Sequence, residues 1–329
     1  MSKIAVIGSN SFSGSDFIDL LLEDPDSHVL GISRSPEKSD LFIPYRHHGQ
    51  DRFQFQQLDL NKHPAEIMSA LDEFEPEFVV NFAAQSEVGP SWIHPEQWFQ
   101  TNTVGLALLI DGLRQRDYLK RYVHISSPEV YGTTSGTITE SAPLNPSTPY
   151  AASKAAADLL ITTFVEQYGF PAVTIRSTNV YGAHQQLFKI IPRSFIYIDI
   201  GRNIELHGGG QSIKSYIHIR DVSRGEVAAM KQGRTGELYH LSPDRGHSIH
   251  EIVSTIAAIT GNKLEDISTN IAERLGQDAA YVIDSSKALK ELNWTPSISM
   301  EEGLIQVRDW VGGNWNQIKQ EPLEYVHKP

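Results

Sequence analysis

A tyrosine and a lysine four residues apart, Tyr150 and Lys154, have the types and the spacing needed to move a proton. The alanine-rich run around them indicates a helix, and residues four apart share one face of a helix. An ammonium beside a phenol, together with the positive charge of an oxidised nicotinamide, lowers the phenol pKa from its reference value of about 10. We therefore expect Tyr150 to exchange a proton with a hydroxyl group during hydride transfer.

Two more polar residues, Ser127 and Glu129, directly follow a predicted β-strand at residues 122–125. Active sites of parallel sheets form at the carboxyl ends of the strands. The position of this pair therefore agrees with the chemistry that Tyr150 and Lys154 suggest, and we expect all four side chains to act together.

A turn rich in small residues joins the first predicted strand to the first predicted helix, where free N–H groups and the helix dipole can hold a pyrophosphate. Gly8 permits the sharp turn and Gly14 permits close helix packing. Arg34 follows the second strand, and a cation there suits the 2′-phosphate of NADP, whereas NAD prefers an acid. NADP is favoured as the cofactor and NAD remains possible. The predicted dinucleotide contacts in this part of the chain are Gly8, Asn10, Ser11, Phe12, Ser13, Gly14, Arg34, Asp59 and Leu60.

These residues require a scaffold in which short apolar strands alternate with amphipathic helices. Strands are predicted at residues 3–7, 29–33, 53–58, 78–82, 122–125, 172–176 and 237–241. This alternation is typical of an α/β fold with a doubly wound parallel sheet, of the Rossmann type. Residues 1–178, with about 223–250, form the expected dinucleotide-binding domain. Residues 179–222 and about 264–329 form a smaller, discontinuous lobe that binds the substrate.

The composition narrows the classes of function. The formal net charge of -12 argues against nucleic acid and membrane surfaces as partners. The absence of cysteine excludes disulfides and thiolate metal sites and suits a cytoplasmic protein. Met1-Ser2-Lys3 runs directly into a strand, and no stretch resembles a signal peptide or a membrane span. We expect no metal site, and His47-His48 is interpreted as part of a solvated loop.

Several motifs in the same order resemble the extended short-chain dehydrogenase/reductases, the NAD-dependent epimerase/dehydratase family, and most of all its nucleotide-sugar 4,6-dehydratases of the GDP-mannose and dTDP-glucose type. They are the N-terminal turn, residues 81–86 (NFAAQS), the Ser127–Glu129 segment, the YxxxK spacing and residues 176–182 (RSTNVYG). Residues 189–192, 210–216 and 273–278 resemble the segments of that family that bind a nucleoside diphosphate. The resemblance spans nearly the whole chain.

The resemblance implies roles for individual residues. Ser127 would hydrogen-bond the sugar O4, Tyr150 would be the base, and Lys154 would hold the nicotinamide ribose. Glu129 would act in the elimination that follows C4 oxidation, since that step needs a base for C5 and an acid for the C6 hydroxyl. Further implied cofactor contacts are Phe82, Ala83, Ala84, Ser177 and Val180. Implied substrate contacts, besides Ser127 and Glu129, are Gln85, Ser86, Asn179, Lys189, Lys214 and Arg274.

The sequence departs from the family pattern at several positions. Pro128 stands where dTDP-glucose dehydratases carry Asp, so Glu129 would serve as both acid and base. Glu87 stands where many relatives have His. Lys214 replaces the usual Arg, which turns a bidentate phosphate contact into a point charge. Ala279 replaces an arginine, which leaves Arg274 as the clearer phosphate contact.

Other functions remain open at this stage. A nucleotide-sugar C4 epimerase or a UDP-uronate decarboxylase would begin with the same oxidation, and a non-catalytic dinucleotide sensor would share the fold. Helices expected at about residues 103–114 and 150–168 resemble the paired interface helices of the family, which predicts a homodimer.

Overall fold

The computed structural model of the protein describes residues 2–133, 136–272 and 282–328. The strands are β1 (Ser2–Ile7), β2 (Ser27–Ser33), β3 (Phe53–Gln57), β4 (Phe78–Asn81), β5 (Arg121–Ile125), β6 (Thr137–Ile138), β7 (Ala172–Ser177), β8 (Asn179–Tyr181), β9 (Ile204–His207), β10 (Ile213–Lys214), β11 (Tyr216–His218), β12 (Leu238–Leu241), β13 (His247–Ser248), β14 (Ser268–Ile271) and β15 (Val282–Ile283).

The helices are α1 (Phe12–Leu22), α2 (Pro64–Phe74), α3 (Val88–Ser91), α4 (Pro95–Phe99), α5 (Leu106–Leu113), α6 (Pro149–Tyr168), α7 (Ile190–Asp199), α8 (Ile219–Gln232), α9 (Ile249–Ile259), α10 (Leu264–Ile267), α11 (Ser286–Leu292), α12 (Met300–Gly313) and α13 (Trp315–Ile318). Short 3₁₀ segments lie at Pro44–His47, Gln50–Arg52, Pro128–Tyr131 and Gly208–Gly210, and a π-helical turn spans Gln100–Gly105. None of the helices in the described ranges has the length and apolar character needed to cross a bilayer.

Seven parallel strands form the central sheet, in the order β12-β7-β5-β4-β1-β2-β3. All seven strands predicted from the sequence are in it. The chain order reverses between β1 and β4, and ligands of open α/β sheets bind in the crevice at such a switch point. The topology therefore places a binding crevice beside the end of β1.

Helices cover both faces of this sheet, which is why its inner strands β1 and β4 are mainly apolar, whereas the edge strand β3 carries three glutamines. On one face, Phe17 and Ile18 of α1 join a buried cluster with residues of α8. On the other face, Leu109 and Ile110 of α5 pack with residues of α2 and α6. The doubly wound Rossmann-type arrangement predicted from the sequence is confirmed.

The stretches expected to form the smaller lobe are joined by their own strand pairs. β8 pairs in parallel with β11, and β9 pairs in parallel with β14, which connects residues far apart in the chain. Apolar side chains of α7, α9 and α12 form a separate core beneath them, to which Phe195, Ile256 and Val307 contribute.

Candidate active site

The position of Tyr150 is set by the start of α6. The Thr148 hydroxyl caps the helix by accepting a hydrogen bond from the backbone N–H of Ala151, at 3.1 Å, and Pro149 occupies the first helical position. Gly169 ends the helix in the left-handed region, with φ of 64°. Tyr150 therefore lies in the first turn of α6, with Lys154 one turn later on the same face.

Ser127 and Glu129 lie on a tight turn that directly follows β5. The Ser127 hydroxyl caps the 3₁₀ segment and accepts from the backbone N–H of Glu129 at 3.3 Å, while Pro128 fills the first position. Gly132 ends the turn with φ of 65°, and a Cβ there would collide with the Asn145 carbonyl. Pro128 thus has a structural function: it starts the turn that presents Glu129.

The surroundings of the Tyr150 phenol within the protein raise its pKa. Burial raises the pKa of Tyr150, and the charge of Glu129 raises it further, whereas a hydrogen bond with Ser127 acts in the opposite direction. The Lys154 ammonium instead donates to the Ile125 carbonyl, at 2.6 Å. Desolvation and nearby carboxylate charge thus raise the phenol pKa in the protein alone, and the lowering expected from Lys154 together with an oxidised nicotinamide stays a prediction.

Lys154 is 3% exposed, and burial lowers its pKa to about 8. The carboxylate of Asp158, one helical turn further along α6, acts against this lowering, whereas Arg176 reinforces it. With a pKa of about 8, most Lys154 side chains keep their proton at neutral pH.

Asp158 is the centre of a buried polar network that joins α6 to β5 and β7. Its Oδ2 accepts from the Ser126 hydroxyl at 2.7 Å and from Arg176 Nη2 at 2.6 Å. Burial by itself would raise the pKa of Asp158, but contact with His124 and the charge of Arg176 lower it overall. The Arg176 guanidinium also lies 4.6 Å from the centre of the Tyr131 ring.

The switch point between β1 and β4 contains a cleft of about 590 Å³. Gly8, at its floor, has φ of +85°, and a Cβ there would lie 2.5 Å from the Ala83 backbone nitrogen. Only glycine fits here, because a side chain would collide with the backbone that follows β4. The Ser11 hydroxyl caps α1 by accepting from Gly14 N at 2.9 Å, so the positive end of the helix points toward the cleft.

Many of the predicted dinucleotide contacts line this cleft: Gly8, Asn10, Ser11, Arg34, Asp59, Leu60, Phe82, Ala83 and Ala84. Two predicted substrate contacts, Gln85 and Ser86, also line it. Phe12 is buried in α1, Ser13 follows it, and Gly14 packs against the Gly8 carbonyl, where a Cβ would lie 2.6 Å away. Ser177 ends β7 and Val180 lies in β8.

The remaining predicted substrate contacts lie in the segments after β7. The Asn179 amide donates to the Ser215 carbonyl at 3.2 Å, and Lys214 lies in β10. Lys189 Nζ donates to Glu87 Oε1 at 2.6 Å, so the glutamate that replaces histidine holds this lysine in an ion pair. Arg274 and Ala279 lie outside the described residues.

Three features near the site are not anticipated by the sequence. Asn102 is buried and fixes both the Gln85 backbone, at 2.9 Å and 3.0 Å, and the Ser153 hydroxyl, at 2.9 Å. The buried Asp158 network is the second. The third is the C-terminal segment, since the Lys328 carbonyl accepts from Arg34 at 2.9 Å and from Gln85 at 3.0 Å. Of these three features, only the Asp158 network has a sign in the sequence, which is the spacing of four residues between Lys154 and Asp158 in α6.

The chain matches known proteins along most of its length. A family model described as GDP-mannose 4,6 dehydratase matches residues 6–307. A dTDP-glucose 4,6-dehydratase of Mycobacterium tuberculosis is 31% identical over 332 residues, which cover 96% of each chain. A protein of the same name from Xanthomonas campestris pv. campestris is 33% identical over 264 residues, 74% of this chain and 75% of that one.

Solved structures of a dehydratase and an epimerase are also similar to this chain. DesIV, a dTDP-glucose 4,6-dehydratase from Streptomyces venezuelae solved with NAD and TYD bound, is similar at a TM-score of 0.88 and 28% identity, covering 96% of this chain and 98% of that chain. The UDP-glucuronic acid 4-epimerase of Bacillus cereus, in complex with UDP-glucuronic acid and NAD, has a TM-score of 0.85 and 25% identity, covering 94% and 99%.

Replacing Asp158 by Asn tests the buried network. The change leaves Arg176 without a counter-charge, and we expect the free energy of unfolding at pH 7 to fall by about 3 kcal/mol, measured by urea denaturation. Because the pKa of Asp158 is lower in the folded state, its stabilising effect is complete above about pH 4 and is lost as the pH falls. The difference from the natural chain should shrink accordingly.

Asp309→Asn is the matched control, since Asp309 forms an exposed ion pair with Arg308. Its effect should stay below about 1 kcal/mol. If Asp158→Asn were no more destabilising than this control at pH 7, the network would not have the role described.

Proposed function

Because the chain belongs to the GDP-mannose 4,6-dehydratase family, we propose that it is a nucleotide-sugar 4,6-dehydratase that oxidises its sugar transiently at C4. One observation carries this proposal: Ser127 and the charge of Glu129 both act on the Tyr150 phenol. A hydroxyl donor, a base for O4 and a carboxylate for C5 are the groups that oxidation followed by elimination requires.

The cleft beside Gly8 fits an NAD(P) dinucleotide, because the turn before the capped end of α1 lines it and free N–H groups at a helix start bind a pyrophosphate. When bound, the dinucleotide supplies a hydride acceptor for the sugar C4 and a hydride donor for C6. Gly8, Asn10 and Ser11 would hold its phosphates, and Tyr150 with Lys154 its nicotinamide end. The other predicted contacts are Phe12, Ser13, Gly14, Arg34, Asp59, Leu60, Phe82, Ala83, Ala84, Ser177 and Val180.

In the oxidation, Ser127 and Tyr150 bind the O4 hydroxyl of the sugar, and Tyr150 removes its proton. Without added positive charge, Tyr150 stays protonated at neutral pH and cannot accept this proton, because burial and Glu129 raise its pKa. Positive charge must therefore be added beside it, and an oxidised nicotinamide carries that charge. Lys154, which stays largely protonated, would bind the ribose and keep the site positive.

In the elimination, Glu129 removes the C5 proton, made acidic by the 4-keto group, and then gives a proton to the departing C6 hydroxyl. One carboxyl group can do both, since it receives at C5 the proton that it donates at C6, and C5 regains a proton from solvent when the hydride reaches C6. Pro128 supplies no proton but positions Glu129 through the turn that it begins.

The nucleoside diphosphate would be bound by residues 179–222 and about 264–329, acting as a substrate lobe beside the dinucleotide-binding residues 1–178 and about 223–250. Lys189, Lys214 and Arg274 would contact the phosphates, and Gln85, Ser86 and Asn179 the sugar. A phosphate would displace Glu87 from its ion pair with Lys189. Binding thus exchanges one anionic partner of the lysine for another.

We further propose NADP as the preferred form of the cofactor. The end of β2 offers the Ser33 hydroxyl and the Arg34 guanidinium, and Lys38 lies in the same cleft wall. DesIV was solved with NAD, so the distinction rests on these residues. Two cations and hydroxyl groups match a 2′-phosphate better than they match a ribose diol.

A homodimer is also proposed. α5 and α6 lie side by side, with the Arg114 guanidinium 4.5 Å from the Tyr168 ring centre. Leu108 on α5 is 49% exposed and Leu159 on α6 is 59% exposed. Exposed large apolar side chains on neighbouring helices are typical of a protein interface.

The dehydratase proposal predicts that the purified protein converts an NDP-hexose to a 4-keto-6-deoxy sugar, with one solvent deuterium at C5. dTDP-glucose is the first substrate to test, followed by GDP-, UDP- and CDP-hexoses. Glu129→Gln should slow product formation by about 100-fold or more, because the elimination loses its acid and base. Mass spectrometry of the product measures both effects.

Glu205→Gln, at an exposed position of β9, is the matched control and should keep full activity. A product that is inverted at C4 and retains its C6 hydroxyl would refute the proposal and favour the epimerase. Loss of the C6 carbon as carbon dioxide from a UDP-uronate would favour the decarboxylase. Failure to turn over any NDP-sugar would favour the non-catalytic sensor.

The cofactor proposal predicts that dinucleotide released from the denatured protein carries a 2′-phosphate. Arg34→Ala should weaken NADP binding about 10- to 100-fold, the effect of losing hydrogen bonds to a charged group, and leave NAD binding nearly unchanged. Isothermal titration calorimetry compares the two, with Arg308→Ala as an exposed control. Finding NAD alone in the protein, with equal losses for both dinucleotides, would overturn the preference.

The homodimer proposal predicts a particle of twice the chain mass in light scattering. The double change Leu108→Glu and Leu159→Glu should give monomers, because it buries charge in the interface. Leu289→Glu is the matched control, since Leu289 is 51% exposed on α11. Monomers already in the natural chain, or dimers that survive the double change, would contradict this interface.

A further inference from the structure

A cluster of potential metal ligands lies apart from the candidate active site, between α1 and the 3₁₀ segment Pro44–His47. It consists of Asp19, His47 and His48, and one ligand atom from each residue lies within 4.8 Å of the other two. His48 Nε2 is 3.1 Å and His47 Nδ1 is 3.6 Å from Asp19 Oδ1. Three donors at these separations match the edges of the coordination sphere of a small divalent ion, whose ligands lie about 2.0–2.2 Å from the metal.

The surroundings orient these donors. The Asp19 side chain is 6% exposed and that of His48 is 13% exposed, so His48 is not the solvated residue that the sequence suggested, whereas His47 is 68% exposed. His47 Nδ1, the nitrogen that faces Asp19, also lies 2.7 Å from the Pro44 carbonyl, so a metal ion bound at this nitrogen would replace that hydrogen bond.

Arg220 of α8 fixes the carboxylate from its other side, by donating to Asp19 Oδ2. Hydrogen bonds of this kind to the second oxygen are typical of carboxylates that bind metals. The same guanidinium also contacts Asp16 at 3.2 Å and Glu23 at 3.0 Å. Three carboxylates thus share one guanidinium, a charge imbalance of two that a divalent cation would neutralise.

The charges on the neighbouring loop do not correct this imbalance. Arg46 lies next to His47 in sequence, but its guanidinium is paired with Glu37, at 3.7 Å, and Asp40, at 3.3 Å. Asp19 and His47 also line a cleft of about 660 Å³, from which a water molecule could complete the coordination of an ion.

We propose that Asp19, His47 and His48 bind a zinc ion that ties the loop after β2 to α1. Two imidazoles and one carboxylate, with room for a water molecule, form a ligand set that zinc accepts. The opposite side of this loop contributes Lys38, Ser39 and Phe42 to the dinucleotide cleft. The ion would therefore hold one wall of the cofactor site, and this inference does not depend on the reaction catalysed.

The test uses the full chain, without a polyhistidine tag, after treatment with a chelator. Equilibrium dialysis against zinc sulfate, followed by elemental analysis, should give one zinc ion per chain. Co²⁺ in its place should give the visible ligand-field bands of a protein-bound ion. His47→Ala and His48→Ala should each weaken zinc binding about 100-fold or more, since loss of an outer-shell partner alone costs 10- to 100-fold.

His250→Ala is the matched control, because His250 is an exposed histidine on α9, and it should leave zinc binding unchanged. Since His47 is mostly exposed, His47→Ala should fold normally, which circular dichroism verifies. Less than stoichiometric zinc in the natural chain, or equal zinc affinity in the two histidine variants and the control, would overturn the proposal.

Discussion

One buried carboxylate, that of Asp158, holds together the carboxyl edge of the central sheet, because its charge is balanced by hydrogen-bonding partners. It receives hydrogen bonds from Ser126 after β5 and from Arg176 on β7, and it lies one helical turn from Lys154 on α6. A charge in this position would be prohibitive without partners, because an ion loses its hydration on burial. The two elements that carry the candidate catalytic residues, the turn after β5 and α6, are therefore tied to one point, together with β7.

This arrangement links stability to chemistry. Lys154 is buried, and yet most Lys154 side chains are protonated at neutral pH, because the charge of Asp158 offsets part of the pKa lowering that burial causes. The phenol of Tyr150, a few residues away, is instead surrounded by groups that raise its pKa. In this site the Lys154 ammonium is already charged, whereas the Tyr150 phenol is not ionised. A positively charged nicotinamide would lower the pKa of Tyr150. Glu129, on the turn that Pro128 begins, is the second carboxylate of this region, after Asp158.

The sequence predicts the strands of the central sheet well, because most are short runs rich in apolar residues and β3 alternates phenylalanine with glutamine. It also predicts the residues around Gly8, where backbone geometry requires glycine. It does not predict that Arg176 reaches Asp158, since that contact depends on β5 and β7 being neighbours in space. The contact between Arg34 and the Lys328 carbonyl joins residues too distant in the chain for any local pattern to reveal. The sequence does not predict the burial of His48, because its neighbours in sequence are polar, whereas its partner lies on α1.

In a 4,6-dehydratase, one site removes a hydride from C4 and returns it to C6 of the same sugar. Single-turnover reaction of an NDP-hexose labelled with deuterium at C4, followed by NMR of the product, tests this most directly. We expect the deuterium to appear at C6 of the 4-keto-6-deoxy sugar. Recovery of the label at C4 of the product, or its complete loss to solvent, would contradict it.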